Sequence, residues 1–356
     1  MKTTALIMAG GRGERFWPKS RKSMPKQFLA LTSSERTMIQ ETVDRILPLV
    51  DIKDIYIATN RDYRPLVRDQ LPDLPEENIL CEPVARNTAP CIGWGAVTVR
   101  KRYGDALMLV LPSDHLIQQP ALFRGVLKNA LKTAEDTEAL VTLGISPSSP
   151  DTGYGYIQYD AEEVTGSTFR VRRFVEKPDL ETAKQYLMSG EYLWNSGMFI
   201  WKASVVLKEI EDKLPEHYAL LRKIEDAGGT ETAEAAQEEA FRQMEPISID
   251  YGVMEKAKHV YVIPSSFGWD DVGSWLAVGR INPGNDMGNV IRGDVVTVNS
   301  TRCIVQGGDK TIAMVGLEDT IIVDTKDALL VCAKDSAGDI RKVLEVLRAV
   351  NRTELL

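Results

Sequence analysis

The alternation of short apolar runs with amphipathic helical stretches constrains this chain more than any other feature of its sequence. Over roughly the first 270 residues, apolar segments of strand length are separated by stretches whose apolar residues recur at helical spacing. The strand-like segments are residues 4–8, 55–59, 107–111, 140–143, 170–175, 198–201 and 260–263. This alternation predicts an α/β fold. Residues 215–244 are acidic and rich in alanine, and we predict that they form a solvated helical excursion.

The character of the sequence changes after the turn-forming run Asn282-Pro283-Gly284-Asn285. Residues 289–333 are short β-rich pieces separated by Gly, Asp and Asn, which indicates a small β-domain that coils in repeated turns. A last helix is predicted over residues 337–350, and its apolar stripe is interpreted as a packing surface. We therefore predict an α/β domain at residues 1–283 and a β-rich C-terminal domain with a terminal helix at residues 284–356.

Composition and charge exclude several classes of protein. The net charge of −8 argues against a broad nucleic-acid-binding or membrane-binding face. No apolar stretch approaches the ~20 residues of a membrane span, and the N-terminus does not have the pattern of a secretory signal. The four cysteines lack CxxC spacing, so buried thiols in a reducing cytoplasm are expected in place of disulfides or a zinc site.

A glycine-rich, basic loop follows the first apolar run and reads MAGGRGERFWPKSRKSMPKQF, residues 8–28. It lacks the Gly-Lys-Ser/Thr of a Walker A loop, and Phe16 stands where a dinucleotide fingerprint needs its third glycine. Glycines still let backbone N–H groups approach an anion, and Arg15 and Lys26 suit phosphate oxygens. We interpret the loop as a phosphate site, the alternative being a plain turn with solvated basic residues.

Carboxylates at two places indicate a Mg²⁺ site. Asp114 follows the apolar run at residues 107–111, and open α/β sheets collect ligands at the carboxyl ends of their strands. Asp270 and Asp271 supply further carboxylates within WDDVGSW. Mg²⁺ takes oxygen ligands and often joins one or two carboxylates to substrate phosphates. The alternative for any single Asp is a cap in a turn.

Further polar residues could read a sugar and a base. Glu176-Lys177 follows a predicted strand, and the glycine-rich run around Gly155 and the amide of Asn195 could approach a sugar. Glu176-Lys177 could equally be a surface ion pair of little value. EPVARNTAP opens a helix with Pro90 in its first turn; its Glu and Asn could read a purine, while Thr88 could simply cap the helix.

Taken in order, these stretches resemble the sugar-phosphate nucleotidyltransferases over nearly the whole chain. The resemblance rests on the glycine-rich loop together with EPVARNTAP, LPSDH, GYGYI, FVEKP, WNSGMFIW, SIDYGVME and WDDVGSW. The form FWPxSRxxxPKQF is similar to the branch that joins GTP to mannose 1-phosphate. The resemblance over nearly the whole chain implies a Rossmann-like GT-A type domain followed by a small left-handed β-helix-like domain. Some bacterial relatives carry a fused phosphomannose isomerase domain, and a chain ending at Leu356 is expected to lack that second activity.

The resemblance also implies roles for single residues. The nucleotide-binding set would be Ala9, Gly10, Gly11, Gly13, Glu82, Asn87 and Thr88, with the last three on guanine. The sugar-phosphate set would be Gly155, Glu176, Lys177 and Asn195, with the lysine on the phosphate. Arg15 and Lys26 would be catalytic, and Asp114 and Asp271 would hold Mg²⁺. Many relatives have Ser in place of Asp270, which leaves the metal ligand open between Asp270 and Asp271, with Asp271 favoured.

The implied reaction is a single displacement in which mannose 1-phosphate attacks the α-phosphorus of GTP. No Ser or Cys nucleophile is needed, because the sugar phosphate is already an anion. One alternative is the same chemistry on another nucleotide or sugar 1-phosphate. A second is a non-catalytic regulatory protein of the same fold, which would be expected to lose carboxylates or basic residues that this chain keeps. No nucleic acid or membrane partner is expected, and the terminal domain would allow a homodimer.

Overall fold

The computed structural model describes residues 1–33, 35–165 and 167–356, with the backbone alone at residues 163–165. The strands are β1 (Thr3–Met8), β2 (Ile55–Asn60), β3 (Ile79–Glu82), β4 (Leu107–Pro112), β5 (Leu116–Ile117), β6 (Leu140–Ile145), β7 (Tyr156–Thr165), β8 (Thr168–Val175), β9 (Tyr192–Lys202), β10 (Val260–Ser265), β11 (Trp269–Asp270), β12 (Val290–Arg292), β13 (Val295–Val298), β14 (Ile304–Gln306), β15 (Ile312–Val315), β16 (Thr320–Asp324) and β17 (Leu329–Ala333). The helices are α1 (Met38–Ile46), α2 (Arg64–Gln70), α3 (Thr88–Tyr103), α4 (Pro120–Thr137), α5 (Leu180–Ser189), α6 (Ala203–Lys213), α7 (Pro215–Ala227), α8 (Ala233–Gln243), α9 (Trp275–Ile281) and α10 (Ile340–Ala349).

The chain forms two compact units, each built from several segments. Unit 1 comprises Met1–Gly10, Val43–Ser113 and Ile117–Trp269. Unit 2 comprises Gly11–Thr42, Asp114–Leu116 and Asp270–Leu356. The glycine-rich loop therefore begins in unit 1 and continues in unit 2.

Unit 1 is organised around a sheet of nine strands in the order β3-β2-β1-β4-β9-β6-β10-β8-β7. β1 pairs in parallel with β2 and with β4, and β2 pairs in parallel with β3. β9 is antiparallel to both β4 and β6. All seven strand segments predicted from the sequence lie within strands of this sheet, whereas β3 and β7 were not predicted. β3 is only four residues long and β7 is largely polar, so neither produces a clear apolar run.

The core of unit 1 is formed by apolar side chains from the central strands and the helices packed on them. Leu6, Met108 and Trp201 are fully buried strand residues in this core. The prediction that residues 215–244 are helical is confirmed, but the prediction that they form a solvated excursion is wrong. They form α7 and α8, and their apolar residues Leu221 and Phe241 are completely buried in the same core. The acidic residues that dominate the composition of this stretch hide a conventional amphipathic pattern.

Unit 2 contains short strands that pair mostly in parallel, as in a coiled β-helix-like domain. β12 pairs in parallel with β14 and β14 with β16, while β13 pairs in parallel with β15. The last strand, β17, returns antiparallel to β16. The β-rich C-terminal region predicted from the sequence is confirmed.

The terminal helix α10 closes the core of unit 2. Ile340 and Leu344 are buried, and Val343 and Leu347 pack beside them against a cluster that includes Phe16 and Trp275. The prediction that this apolar stripe is a packing surface is therefore confirmed. The indole of Trp17 donates a hydrogen bond to the carbonyl of Leu355, at 2.8 Å, within the same unit.

Within the described residues, no helix has the length and apolar character needed to cross a membrane. The predicted domain boundary between residues 283 and 284 stays a prediction, since the compact units are assembled from separate segments.

Candidate functional site

The glycine-rich loop is held in unit 2 by a close approach that only glycine permits. Gly13 has a φ of +60°, and a Cβ built on it would lie 2.3 Å from Cβ of Lys26 and 2.8 Å from its backbone nitrogen. The hydroxyl of Ser20 donates a hydrogen bond to the Gly13 carbonyl at 2.8 Å. Because Gly13 has no side chain, Lys26 can pack directly against its backbone. Gly11 has no neighbour within 4 Å of a built Cβ, so the packing of the described residues does not demand a glycine there.

Lys26 is a buried cation whose ammonium group contacts two acidic positions. Its Nζ donates hydrogen bonds to Oδ2 of Asp114, at 2.8 Å, and to the backbone carbonyl of Asp271, at 2.7 Å. Only 5% of Lys26 is exposed to solvent. Burial raises the pKa of Asp114, but the charge and hydrogen bond of Lys26, with a contribution from His115, more than offset this and hold the pKa below its usual value.

These residues line an open cavity of about 270 Å³ in unit 2. The lining residues are Arg12, Gly13, Glu14, Arg15, Phe16, Lys26, Asp114, His115, Asp271, Gly273 and Arg341. Four of them are basic and three are acidic, so the cavity combines cations for an anionic ligand with carboxylates for a metal. Nη1 of Arg15 lies 3.3 Å from the Gly273 carbonyl, to which it donates.

Asp270 and Asp271 are adjacent in the sequence, but their side chains have different surroundings. Asp270 is engaged through both oxygens: Oδ2 accepts from Arg280 at 2.7 Å and Oδ1 accepts from the Val272 amide at 2.8 Å. Asp271 lines the cavity together with Asp114. No group of three or more His, Cys, Asp and Glu side chains with metal-binding geometry occurs in the described part of the chain. The donor set here is two carboxylates, which fits an ion that takes its remaining ligands from phosphates and water.

In unit 1, Glu82 ends β3 as a buried carboxyl group. It is 6% exposed, and its Oε1 has no hydrogen-bond partner among the residues that the structure describes. Burial raises the pKa of Glu82 to about 7, although a hydrogen bond with the Cys91 thiol opposes the shift. A Cβ built on Gly10 would lie 3.6 Å from Oε2 of Glu82, in ordinary contact. An unpaired buried acceptor of this kind is suited to a ligand that brings N–H donors.

Asn87 and Thr88 begin helix α3 and have structural partners. The side chain of Asn87, which has a φ of +68°, accepts a hydrogen bond from the Thr88 amide at 2.8 Å. Asn87, and not Thr88 as predicted, is therefore the capping residue. The Thr88 hydroxyl instead accepts a hydrogen bond from the backbone N–H of Ile249, at 2.8 Å.

Strand register brings Gly155, Glu176 and Asn195 together in unit 1. Tyr156 pairs with Val175 of β8 and with Trp194 of β9, and both pairings are antiparallel. Gly155, which precedes Tyr156, therefore lies beside Glu176 and Asn195, which follow Val175 and Trp194. Asn195 N–H accordingly donates to the Gly155 carbonyl at 2.8 Å. A Cβ built on Gly155 would lie 2.4 Å from Oε2 of Glu176 and 3.3 Å from Cβ of Asn195, so the glycine makes room for both side chains.

Glu176 is buried in this cluster, which argues against a simple surface ion pair. Its side chain is 9% exposed, whereas Lys177, 3.2 Å away, is 56% exposed. Burial raises the pKa of Glu176, and the charge of Lys177 only partly offsets this. Its Oε2 has no hydrogen-bond partner within the described residues. Asn195 uses its amide group to donate to Oδ1 of Asp250, at 2.9 Å.

Comparison with known proteins identifies the family of this chain. The nucleotidyl transferase family profile matches residues 4–285, and the profile of the MannoseP isomerase/GMP-like beta-helix domain matches residues 293–347. The chain belongs to the nucleotidyl transferase family.

Curated relatives and a solved structure agree with this membership. A mannose-1-phosphate guanylyltransferase of Salmonella montevideo is 40% identical over 99% of this nucleotidyl transferase and 75% of the relative. One of Escherichia coli is also 40% identical, over 98% of this chain and 74% of the relative. A crystal structure from Thermus thermophilus, described as a mannose-1-phosphate geranyltransferase, superposes with a TM-score of 0.89 at 35% identity, covering 98% and 100% of the two chains.

Several residues that line the clusters of this nucleotidyl transferase were missed by sequence reasoning. Arg12 and His115 line the cavity beside predicted site residues. Their position within the same sequence motifs is the signal that could have identified them. Arg341 lies on α10, where the helical pattern shows only packing. Asp250 lies within SIDYGVME, a stretch to which no role was given.

Proposed function

We propose that this chain is a mannose-1-phosphate guanylyltransferase, which converts GTP and α-D-mannose 1-phosphate to GDP-mannose and pyrophosphate. The names of its relatives and the family membership support this reaction. The observation that carries the proposal is the buried Lys26 between Asp114 and Asp271 in a cavity lined by further basic residues. Such an arrangement suits a polyphosphate and a metal.

Unit 2 supplies groups for the triphosphate. Gly13 and Arg15 line the cavity. We assign the backbone N–H groups of Gly11 and Gly13 and the planar guanidinium of Arg15 to the phosphate oxygens. Ala9 and Gly10, which lie in unit 1, continue the same loop and are assigned to the nucleotide with them.

We assign guanine to Glu82, Asn87 and Thr88 in unit 1. Guanine offers N–H donors at N1 and N2, and the Glu82 carboxyl is a buried acceptor with one oxygen unpaired among the described residues. The raised pKa of Glu82 follows from its burial, and a ligand that donates two hydrogen bonds would favour the ionised form. Asn87 is assigned to the base because it lies at the exposed start of α3.

The sugar phosphate is assigned to Gly155, Glu176, Asn195 and Lys177. The Glu176 carboxylate can accept hydrogen bonds from sugar hydroxyls, and the Asn195 amide can donate to them. The exposed ammonium group of Lys177 suits the phosphate. Gly155 leaves the space that a side chain would otherwise fill.

The reaction is a displacement at the α-phosphorus. An oxygen of the sugar phosphate forms a bond to this phosphorus, and the bond from phosphorus to the bridging oxygen of the β-phosphate breaks. The electron pair leaves with pyrophosphate. Lys26 and Arg15 stabilise the negative charge that develops on the phosphate oxygens, so alignment and electrostatics provide the catalysis.

Asp114 and Asp271 are the residues that would hold Mg²⁺. Their carboxylate oxygens are the ligands this ion prefers, and Asp271 is favoured over Asp270 because Asp271 lines the cavity together with Asp114. When bound, the ion would neutralise charge on the phosphates. Because Lys26 contacts Asp114, the binding of a metal and of phosphate would change the partner of this ammonium group.

The test is a substrate panel with pyrophosphate release as the readout. GTP, ATP, UTP and dTTP would be combined with mannose 1-phosphate and glucose 1-phosphate, with Mg²⁺ present or removed by chelator. We expect the highest kcat/KM for GTP with mannose 1-phosphate, and little turnover without Mg²⁺. A clear preference for another pair would replace the substrate assignment, and no release with any pair would support a non-catalytic role.

A further inference from the structure

The segment SIDYGVME, residues 248–255, contacts three of the residues assigned to substrates, although it contains none of them. It lies in unit 1 and includes a single π-helical turn, Asp250–Met254. Turns of this type are rare and are frequent at functional sites. The contacts made by the segment suggest what it does here.

The first contact is between Asp250 and Asn195. Nδ2 of Asn195 donates to Oδ1 of Asp250 at 2.9 Å, while Oδ1 of Asn195 accepts from the Gly197 amide at 3.1 Å and from the Thr142 hydroxyl at 3.3 Å. These bonds determine which end of the amide is the donor and which is the acceptor. Asp250 thus supplies the acceptor for the nitrogen end of the amide that is assigned to the sugar, and the other two bonds hold the oxygen end.

Two further contacts come from the same segment. Oε1 of Glu255 accepts a hydrogen bond from the backbone N–H of Glu176 at 3.0 Å. The backbone N–H of Ile249 donates to the Thr88 hydroxyl at 2.8 Å. One short segment thus braces residues from β9, from the end of β8 and from the start of α3.

The carboxyl of Asp250 is itself in an unusual setting. Burial raises its pKa to about 7, and the neighbouring charge of Glu176 adds to the shift. Hydrogen bonds from Asn195 and from its own backbone, and the charge of Lys177, act in the opposite direction. Glu176 in turn faces Lys177 and Glu255. A partly buried carboxyl held beside a second carboxyl is costly, and such costs concentrate at functional sites.

We propose that Asp250 is a positioning residue for the sugar 1-phosphate, holding the Asn195 amide beside Glu176 so that both face the sugar hydroxyls. The inference rests on the proposed function of this cluster and adds to it a residue that contacts the sugar only through Asn195. Ionised Asp250 accepts the amide hydrogen bond more strongly than the neutral acid does. The sugar is therefore held more tightly as Asp250 loses its proton.

The test compares Asp250→Ala and Asp250→Asn with the wild type in steady-state kinetics. Asp250→Ala should raise KM for mannose 1-phosphate by about tenfold or more, because it removes a hydrogen bond to a charged group, and should leave KM for GTP within about twofold. Asp250→Asn keeps an acceptor for the Asn195 amide and should restore part of the affinity. Direct binding of mannose 1-phosphate by calorimetry should show the same order.

A pH profile supplies the readout that a structural role would not change. In the wild type, KM for mannose 1-phosphate should fall as pH rises through about 7, and Asp250→Asn should lack this component. The titration of the sugar phosphate affects the wild type and Asp250→Asn equally, so the ratio of their KM values at each pH does not depend on it. Asp226→Asn, which removes a carboxylate that is 70% exposed on α7, is the matched control and should behave as the wild type.

The outcomes separate this inference from the function on which it rests. Absence of GDP-mannose formation by the wild type would overturn the proposed function. An active wild type with an unchanged sugar KM in both variants, or with equal increases in KM for sugar and GTP, would overturn the positioning role. If Asp250→Ala fails to fold, the pH profile of Asp250→Asn decides: loss of the component near pH 7 supports the role, and its persistence overturns it.

Discussion

At the scale of single residues, Lys26 shows how a flexible cation is fixed in one place. Its ammonium group reaches the Asp114 carboxylate and the Asp271 carbonyl, and its backbone lies against Gly13. A lysine that is 5% exposed loses most of its rotamer freedom before any ligand arrives. The entropic cost of ordering this side chain is therefore met during folding and not on ligand binding.

Replacing Lys26 with Ala should lower kcat by about a hundredfold or more, since the charge that stabilises the phosphate oxygens is lost. Pyrophosphate release measures the rate, and circular dichroism checks that the fold is kept. Lys342→Ala removes the same charge from a residue that is 71% exposed in unit 2, and it should leave turnover unchanged. Near wild-type turnover of Lys26→Ala would refute the catalytic role.

Gly155→Ala tests the space beside Glu176. The new Cβ would lie 2.4 Å from Oε2 of Glu176, so this carboxylate must move. We expect KM for mannose 1-phosphate to rise by about tenfold, with KM for GTP little changed. Gly125→Ala is the control, because its Cβ meets nothing within 4 Å. Equal sugar affinity in both variants would contradict the assignment.

At the scale of elements, strand register and helix packing place the residues that motifs only suggest. β7 pairs with β8 on one side and β9 on the other, and this double pairing brings three separate motifs together. The terminal helix α10 likewise packs its apolar side on the core of unit 2 while Arg341 reaches the cavity there. The same helix thus contributes both stability and a charged lining residue.

Leu344→Ala should destabilise unit 2 by about 2–5 kcal/mol, because a side chain that is 4% exposed leaves a cavity in the core. Chemical denaturation followed by tryptophan fluorescence, to which the buried Trp275 of unit 2 contributes, would report the loss. On the same helix, Val346 is 60% exposed, and Val346→Ala should change stability by no more than about 0.5 kcal/mol. Equal effects of the two substitutions would contradict the packing described for α10.

At the scale of the whole molecule, buried carboxyl groups make stability depend on pH. The pKa of Glu82 is about 7 in the folded protein, against an ordinary value of 4.5. Between these values the folded state binds more protons than the unfolded state, so the free energy of unfolding falls as pH rises from about 4.5 to about 7. A group that is retained despite this cost is expected to serve a ligand.

Glu82→Gln should remove this pH-dependent loss of stability. At pH 8 the free energy of unfolding of the variant should exceed that of the wild type by on the order of 3 kcal/mol, less the cost of altered hydrogen bonds. At pH 4 no such gain is expected. Urea unfolding at the two pH values measures the difference. Glu181→Gln, at a site that is 77% exposed, is the control. A constant difference between wild type and Glu82→Gln at both pH values would contradict the buried-carboxyl account.

Much of the fold could be predicted from the sequence because its signals are local. Apolar runs predicted the central strands, and the change after residue 285 predicted the β-rich region. The acidic α8 was misjudged because composition obscured the buried Phe241. Strand β7 was missed because its largely polar sequence carries little hydrophobic signal.

The sequence by itself determined the fold class, and it supplied the predictions of a phosphate-binding loop and of the candidate carboxylates, since residue type and spacing carry that information. Only the tertiary structure decided which carboxylates meet which partners. Asp270 is taken by Arg280, Asp271 lines the cavity, and Asp250 holds Asn195. The contact between Asp250 and Asn195 and the meeting of Asp271 with Asp114 at one cavity join residues far apart in the chain. Their formation depends on strand register and packing, which no single motif encodes.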